Sequence, residues 1–110
     1  MARVALTGLN EVPATPGGAS FTFGAAGENC REITTIGLVG TLDSGDPVGR
    51  SYEVSALASL ANPNFTFTPN GGKTISGPGG LAAATQVVNV QAFWRSVKKQ
   101  SDGNWLLSGL

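Results

Sequence analysis

Thr85-Gln86-Val87-Val88-Asn89-Val90-Gln91-Ala92-Phe93-Trp94-Arg95-Ser96-Val97-Lys98-Lys99-Gln100, continued by Ser101-Asp102-Gly103-Asn104 and Trp105-Leu106-Leu107, is the stretch that decides the fold. It is rich in β-branched and aromatic residues, with no proline or glycine until Gly103, and reads as a strand, a turn and a second strand. The Asp102-Gly103 pair suits a two-residue type I′ hairpin, which sets Gln100 opposite Trp105 and Lys98 opposite Leu107. One face then carries Val88, Val90, Ala92, Trp94, Trp105 and Leu107 and is expected to be core. The other carries Asn89, Gln91, Phe93, Arg95, Val97, Lys99 and Leu106, which makes Phe93 and Leu106 candidates for a contact surface.

The chain upstream has the same character. Ala19, Phe21 and Phe23 alternate with Ser20 and Thr22, and Phe65-Thr66-Phe67-Thr68 repeats the device, which puts rings on one side of a strand and hydroxyls on the other. Glu32 to Leu42 reads as a strand bent at Gly37 and Gly40, closed by the turn Asp43-Ser44-Gly45-Asp46-Pro47. Tyr52 to Ala61 alternates as a strand does, and the same residues also fit a helical stripe. Asn70-Gly71-Gly72 and Gly77-Pro78-Gly79-Gly80 read as loops, and Ala82-Ala83-Ala84 as one turn of helix. Near the N-terminus, Asn10 to Gly18 holds Pro13, Pro16 and a glycine pair, which argues against regular pairing, so residues 1–18 read as an extended arm or loop. Its apolar members Val12, Pro13 and Pro16 join Phe93 and Leu106 as candidate interface residues.

Sixteen glycines and six prolines in 110 residues punctuate this pattern at the spacing of short strands. The expectation is a single all-β domain over 1–110, a small antiparallel β-sandwich or barrel with an extended N-terminal arm. Charged residues are only 13% of the chain, and seven Lys and Arg balance seven Asp and Glu. A neutral chain lacks the positive field on which nonspecific nucleic-acid binding rests. Met1 to Leu6 does not resemble a signal peptide, and no apolar run approaches the roughly 20 residues of a membrane helix, so neither secretion nor a membrane is expected.

With no histidine and one cysteine, Cys30, the Ser-His-Asp and Cys-His arrangements and the usual zinc and haem sites are excluded. Asp43 and Asp46 could serve as an acid/base pair, but their turn sequence favours backbone hydrogen bonding. Gly71-Gly72-Lys73-Thr74 has the end of a phosphate-binding loop, with Phe67 where the leading glycine belongs. Trp94, Trp105 and Tyr52 could form a sugar-stacking platform, against which stands the placement of both tryptophans on the core face. The expectation is a protein that is not an enzyme and takes no metal or cofactor.

Two resemblances bear on function. Leu6-Thr7-Gly8-Leu9-Asn10-Glu11-Val12-Pro13 with Ala19-Ser20-Phe21-Thr22-Phe23 looks like the opening strands of CHRD domains, extracellular β modules whose later histidine-containing segment has no counterpart here. In type, a short Gly/Ala/Thr-rich β chain with a Pro/Gly-rich N-terminal arm and a C-terminal hairpin is similar to small bacteriophage virion proteins, most of all capsid decoration (cement) proteins. That resemblance implies location in the virion, with the cytoplasm as alternative. It implies a homo-oligomer such as a trimer and contacts with the major capsid protein or other virion subunits. The alternative function is a β-sandwich module binding carbohydrate or a cell surface, such as a tail or fibre component.

Overall fold

The computed structural model describes residues 15–77 and 80–108. The described chain is all strand and turn: β1 (Thr15–Gly17), β2 (Phe21–Thr22), β3 (Cys30–Ile33), β4 (Val39–Leu42), β5 (Ser51–Ala56), β6 (Phe65–Pro69), β7 (Ile75–Gly77), β8 (Gly80–Ala83), β9 (Gln86–Val88), β10 (Trp94–Lys99) and β11 (Trp105–Leu107). They form a seven-stranded sheet in the order β1-β3-β5-β10-β11-β7-β8 and a four-stranded sheet in the order β2-β4-β6-β9.

The chain builds these sheets by shuttling between them. From β1 to β6 each strand is followed by a loop that arches to the other sheet, so strands two apart become neighbours and run parallel: β1 with β3, β3 with β5, β2 with β4, β4 with β6. Parallel neighbours need a crossover connection, and here the arch plus the strand in the opposite sheet supplies it. The second half adds antiparallel pairs, β6 with β9, β5 with β10, β10 with β11 and β7 with β8, and one further parallel pair, β7 with β11. The all-β class expected from the sequence is present, but the sheets are mixed rather than antiparallel. Neither closes into a barrel: one ends at β1 and β8, the other at β2 and β9.

Several local expectations change for the same reason. The Glu32-to-Leu42 segment is two strands in different sheets, and the bend at Gly37, at φ 80°, lies in the arch between them. Gly40 is no break. It lies within β4, paired with Phe67, and a Cβ there would stand 2.5 Å from Phe23 Cε2 and 2.6 Å from Phe65 Cζ, so the two rings leave room only for glycine. Thr15–Gly17 is not free of pairing but an edge strand, with Pro16 at the register position of Glu32; an edge tolerates a residue without an N–H. Residues 1–14 of the expected arm lie outside the described residues. Ala82 and Ala83 belong to β8 rather than to a helical turn. Of the two readings of Tyr52 to Ala61, the strand holds over Ser51–Ala56, with Tyr52, Val54 and Ala56 buried.

The C-terminal hairpin carries the correction with the widest consequence. Gly103 N donates to Gln100 O at 2.9 Å, Gln100 N donates to Asn104 O at 2.8 Å, and Gly103 has φ 86°. This is a type I turn with a left-handed glycine, the three-residue hairpin, instead of the two-residue type I′ form. Lys99 therefore pairs with Trp105 and Val97 with Leu107, one residue out of the expected register. A one-residue slip reverses every side chain on β10. Val97 is buried and Trp94 is exposed, while Phe93, just before the strand, is 2% exposed.

The layers meet in one core of Phe23, Ile33, Leu42, Tyr52, Phe65, Phe67, Ile75, Val97, Trp105 and their neighbours. Its centre is aromatic. Phe23 stacks on Phe67 at 5.8 Å between centroids, meets Phe65 edge-on at 6.3 Å and lies 5.2 Å from Tyr52. Such pairs add about 0.5–1.5 kcal/mol each beyond the area they bury.

Candidate interaction surface

Two surfaces follow from this topology. The first is the outer face of the seven-stranded sheet, whose layout the register dictates. Glu32 lies beside Ser55, and Ser55 beside Trp94; Cys30 beside Glu53, and Glu53 beside Ser96; Ser51 beside Lys98, and Lys98 beside Leu106. Trp94 is 64% and Leu106 43% exposed, although β10 and β11 are interior strands of the sheet. The Trp94 indole is held in place: its Nε1 donates to Glu53 Oε1 at 2.8 Å. Between the indole and β3 runs a groove of about 140 Å³ lined by Cys30, Arg31, Glu53, Val54, Ser55 and Trp94. A second, wider depression of about 410 Å³ lies over Ser96, Lys98, Leu106 and Ser108. Burial, and then the negative charge of Glu53, push the Cys30 thiol above its usual value.

The second surface is the end of the sandwich where the arches stack. Gly37 N donates to Pro63 O at 2.9 Å, Leu57 N to Ile33 O at 2.9 Å, and Gln91 Nε2 to Ala58 O at 2.8 Å, which ties the arches after β3, β5 and β9 together. Ile36, Leu57 and Val90, one on each arch, are 57%, 40% and 54% exposed. Trp94, at the first position of β10, adjoins this end.

The candidate interface residues named from the sequence separate accordingly. Leu106 lies on the outer face. Phe93 is in the core and offers no surface, and Trp94 takes the place it was expected to hold. Pro16 is in the edge strand, and Val12 and Pro13 lie outside the described residues. The signal that could have found Trp94 was the loop length: Asp-Gly also fits a three-residue loop with glycine in the left-handed position, which turns Trp94 outward. Trp105 is buried as expected, with its Nε1 lacking a hydrogen-bond partner.

The remaining charged groups inside the molecule hold loops. The Glu28 carboxylate accepts from Gly24 N and Ala26 N at 3.1 Å and from Arg31 Nη2 at 3.0 Å, and the Arg31 guanidinium lies 3.8 Å over the Phe21 ring. Burial alone would raise this carboxyl, but its backbone, Arg31 and Gly24 partners outweigh that and hold it below the usual range. Asp43 Oδ1 accepts from Gly45 N at 3.0 Å, and Asp46 Oδ2 accepts from Tyr52 Oη at 2.5 Å. Lys99 Nζ donates to Ser44 O at 2.7 Å and Asp46 O at 2.6 Å. Both carboxylates are thus engaged within or beside their own turn. Gly71 and Gly72, at φ 64° and 74°, make the tight turn after β6. Among the described residues no three His, Cys, Asp or Glu side chains cluster as metal ligands, and no helix is long and apolar enough to cross a membrane.

Compared with known proteins, the chain matches no family model, no curated protein and no solved structure.

Proposed function

We infer that this chain is a non-enzymatic structural subunit of a virus particle, a capsid decoration or cement protein that stabilises the shell by seating its arch end on neighbouring subunits. The observation that carries the reading is the row of exposed aliphatic side chains, Ile36, Leu57 and Val90, on arches tied together by hydrogen bonds. Single exposed apolar residues need no explanation, but three on adjoining loops of a chain with so little charge form the kind of patch that partners cover. Arches already held to one another by hydrogen bonds have less conformational freedom to lose on docking, which favours a tighter contact.

The test is the protein composition of virus particles purified from cultures whose genomes encode this sequence. The chain is expected in stoichiometric amount, and replacement of Ile36, Leu57 and Val90 by serine is expected to remove it from the particles while the purified protein stays folded. Particles that lack the wild-type chain overturn the reading.

A second reading, a module that binds carbohydrate or a cell surface, draws on the exposed Trp94 with Glu53 and Ser55 beside it, since an aromatic face edged by hydrogen-bonding groups suits a sugar ring. Neutral oligosaccharides arrayed on a surface test it: retention lost in Trp94→Ala supports it, and no retention refutes it.

A further inference from the structure

We propose that the outer face of the seven-stranded sheet is a self-complementary surface on which a second copy of this chain docks face to face about a two-fold axis. The proposal rests on the reading of the chain as an assembly subunit and names the partner of a face that reading leaves open.

Charge is arranged in order across this face. Glu32 pairs with Ser55, Glu53 with Ser96 and Ser51 with Lys98, so Glu32, Glu53 and Lys98 step one strand and two residues at a time along a single diagonal. One end of that diagonal is negative and the other positive. An isologous contact requires a patch that complements itself, and a two-fold axis lying in the interface exchanges the two ends of the diagonal. Lys98 then faces Glu32 of the second copy, and Glu32 faces Lys98 of the second copy. Both ionic contacts form at once; Glu53, midway along the diagonal, lies at the axis opposite its own counterpart, a like-charge contact that the two Glu32–Lys98 pairs outnumber and that the Trp94 indole, donating to the Glu53 carboxylate, partly offsets.

The apolar groups fit the same operation. Trp94 stands on the strand next to Glu53, beside the diagonal, and the two-fold brings the two Trp94 rings together near the axis, where interface energy concentrates. Its ring is already fixed by the hydrogen bond to Glu53, so little side-chain freedom remains to be lost. Around them the described face carries Leu106 and the small side chains of Cys30, Ser51, Ser55, Ser96 and Ser108, which leave room for a second sheet at the roughly 10 Å spacing of stacked sheets. With strands about 4.8 Å apart, the face offers several hundred Å², approaching the roughly 800 Å² per partner of a standard interface.

The experiment is light scattering of the full chain across a concentration series, on the wild type, on Lys98→Glu, on Glu32→Lys/Glu53→Lys, and on an equimolar mixture of the two variants. The wild type is expected to form a dimer. Each variant alone, now carrying one sign on the face, is expected to associate at least about tenfold more weakly, because like charges oppose across the axis. The mixture is expected to restore the dimer, since both exchanged contacts are again of opposite sign. A wild type that stays monomeric, a trimer or larger ring, a dimer that both variants leave intact, or a mixture that fails to recover each overturns the proposal. None of these outcomes alters the composition of virus particles, on which the structural-subunit reading stands or falls.

Discussion

Replacing Gly40 by alanine puts a methyl group where two aromatic rings already stand. The added Cβ would lie 2.5 Å from Phe23 Cε2 and 2.6 Å from Phe65 Cζ, about 1 Å inside ordinary contact. Neither ring can withdraw freely: Phe23 is stacked on Phe67 at 5.8 Å, Phe65 meets Phe67 edge-on at 4.9 Å, and Phe23 and Phe65 are 2% and 0% exposed. Overpacking of this kind costs about 1–3 kcal/mol. Against it stands a gain of about 0.5–1 kcal/mol, because alanine loses less backbone freedom than glycine in a strand. The net expectation is a loss of about 1–2 kcal/mol, a fall in Tm of about 5–15 °C for a domain of this size. Urea melts followed by tryptophan emission measure it, with an unchanged m-value expected. Adding Phe23→Leu, which removes the nearer ring edge, should recover part of the loss. A Gly40→Ala protein as stable as the wild type would refute the aromatic packing that joins the two sheets.

Other consequences are as direct. Glu28 is held below its ordinary value, so its contribution is complete above about pH 4.3, the unfolded value, and is lost as pH falls through the folded one. Glu28→Gln should therefore lower stability by about 3 kcal/mol at neutral pH and much less at pH 3, read from urea melts at both pH values; an equal loss at both refutes the ion pair. Burial, and then the bond to Asp46, raise the Tyr52 phenol far above its usual value, so its contribution is intact below about pH 10 and fades as pH rises beyond it. As Tyr52 is the sole tyrosine, phenolate absorbance should stay silent in the folded protein past pH 10 and appear only with unfolding; a reversible titration near 10 contradicts the bond. Cys30, with its thiol raised by burial and by Glu53, should react with a disulfide reagent more slowly in the folded than in the unfolded chain, and faster in Glu53→Gln. Equal rates in all three would be inconsistent with that environment.

The elements that local chemistry dictates were legible in the sequence. Alternation placed Phe65 and Phe67 on the inner side of β6, and Tyr52 and Val54 on the inner side of β5. The Asp43–Pro47 and Asn70–Gly72 turns lie where aspartate and glycine put them. The arches were not legible. A strand of four to six residues with one buried face reads the same whether its neighbour runs parallel or antiparallel, and nothing local marks a loop that turns back within a sheet from one that crosses to the other. Thr85 to Gln100 shows the cost: an unbroken β pattern conceals the crossing at residues 89–93, where Ala92 adopts φ 56°. The outer face was missed because its parity hung on one turn residue. Phe93 and Trp94 are adjacent and both aromatic, and only the placement of Gly103 decides which of them meets solvent.

That parity is what the account depends on most, and quenching of tryptophan fluorescence by acrylamide in dilute protein tests it directly. With Trp94 64% and Trp105 0% exposed, one class of emission should be readily quenched and the other shielded, and Trp94→Phe should abolish the accessible class while the protein stays folded. Shielding of both tryptophans in the dilute protein, or an accessible class that survives Trp94→Phe, would return Trp94 to the core and contradict the surface described for this molecule.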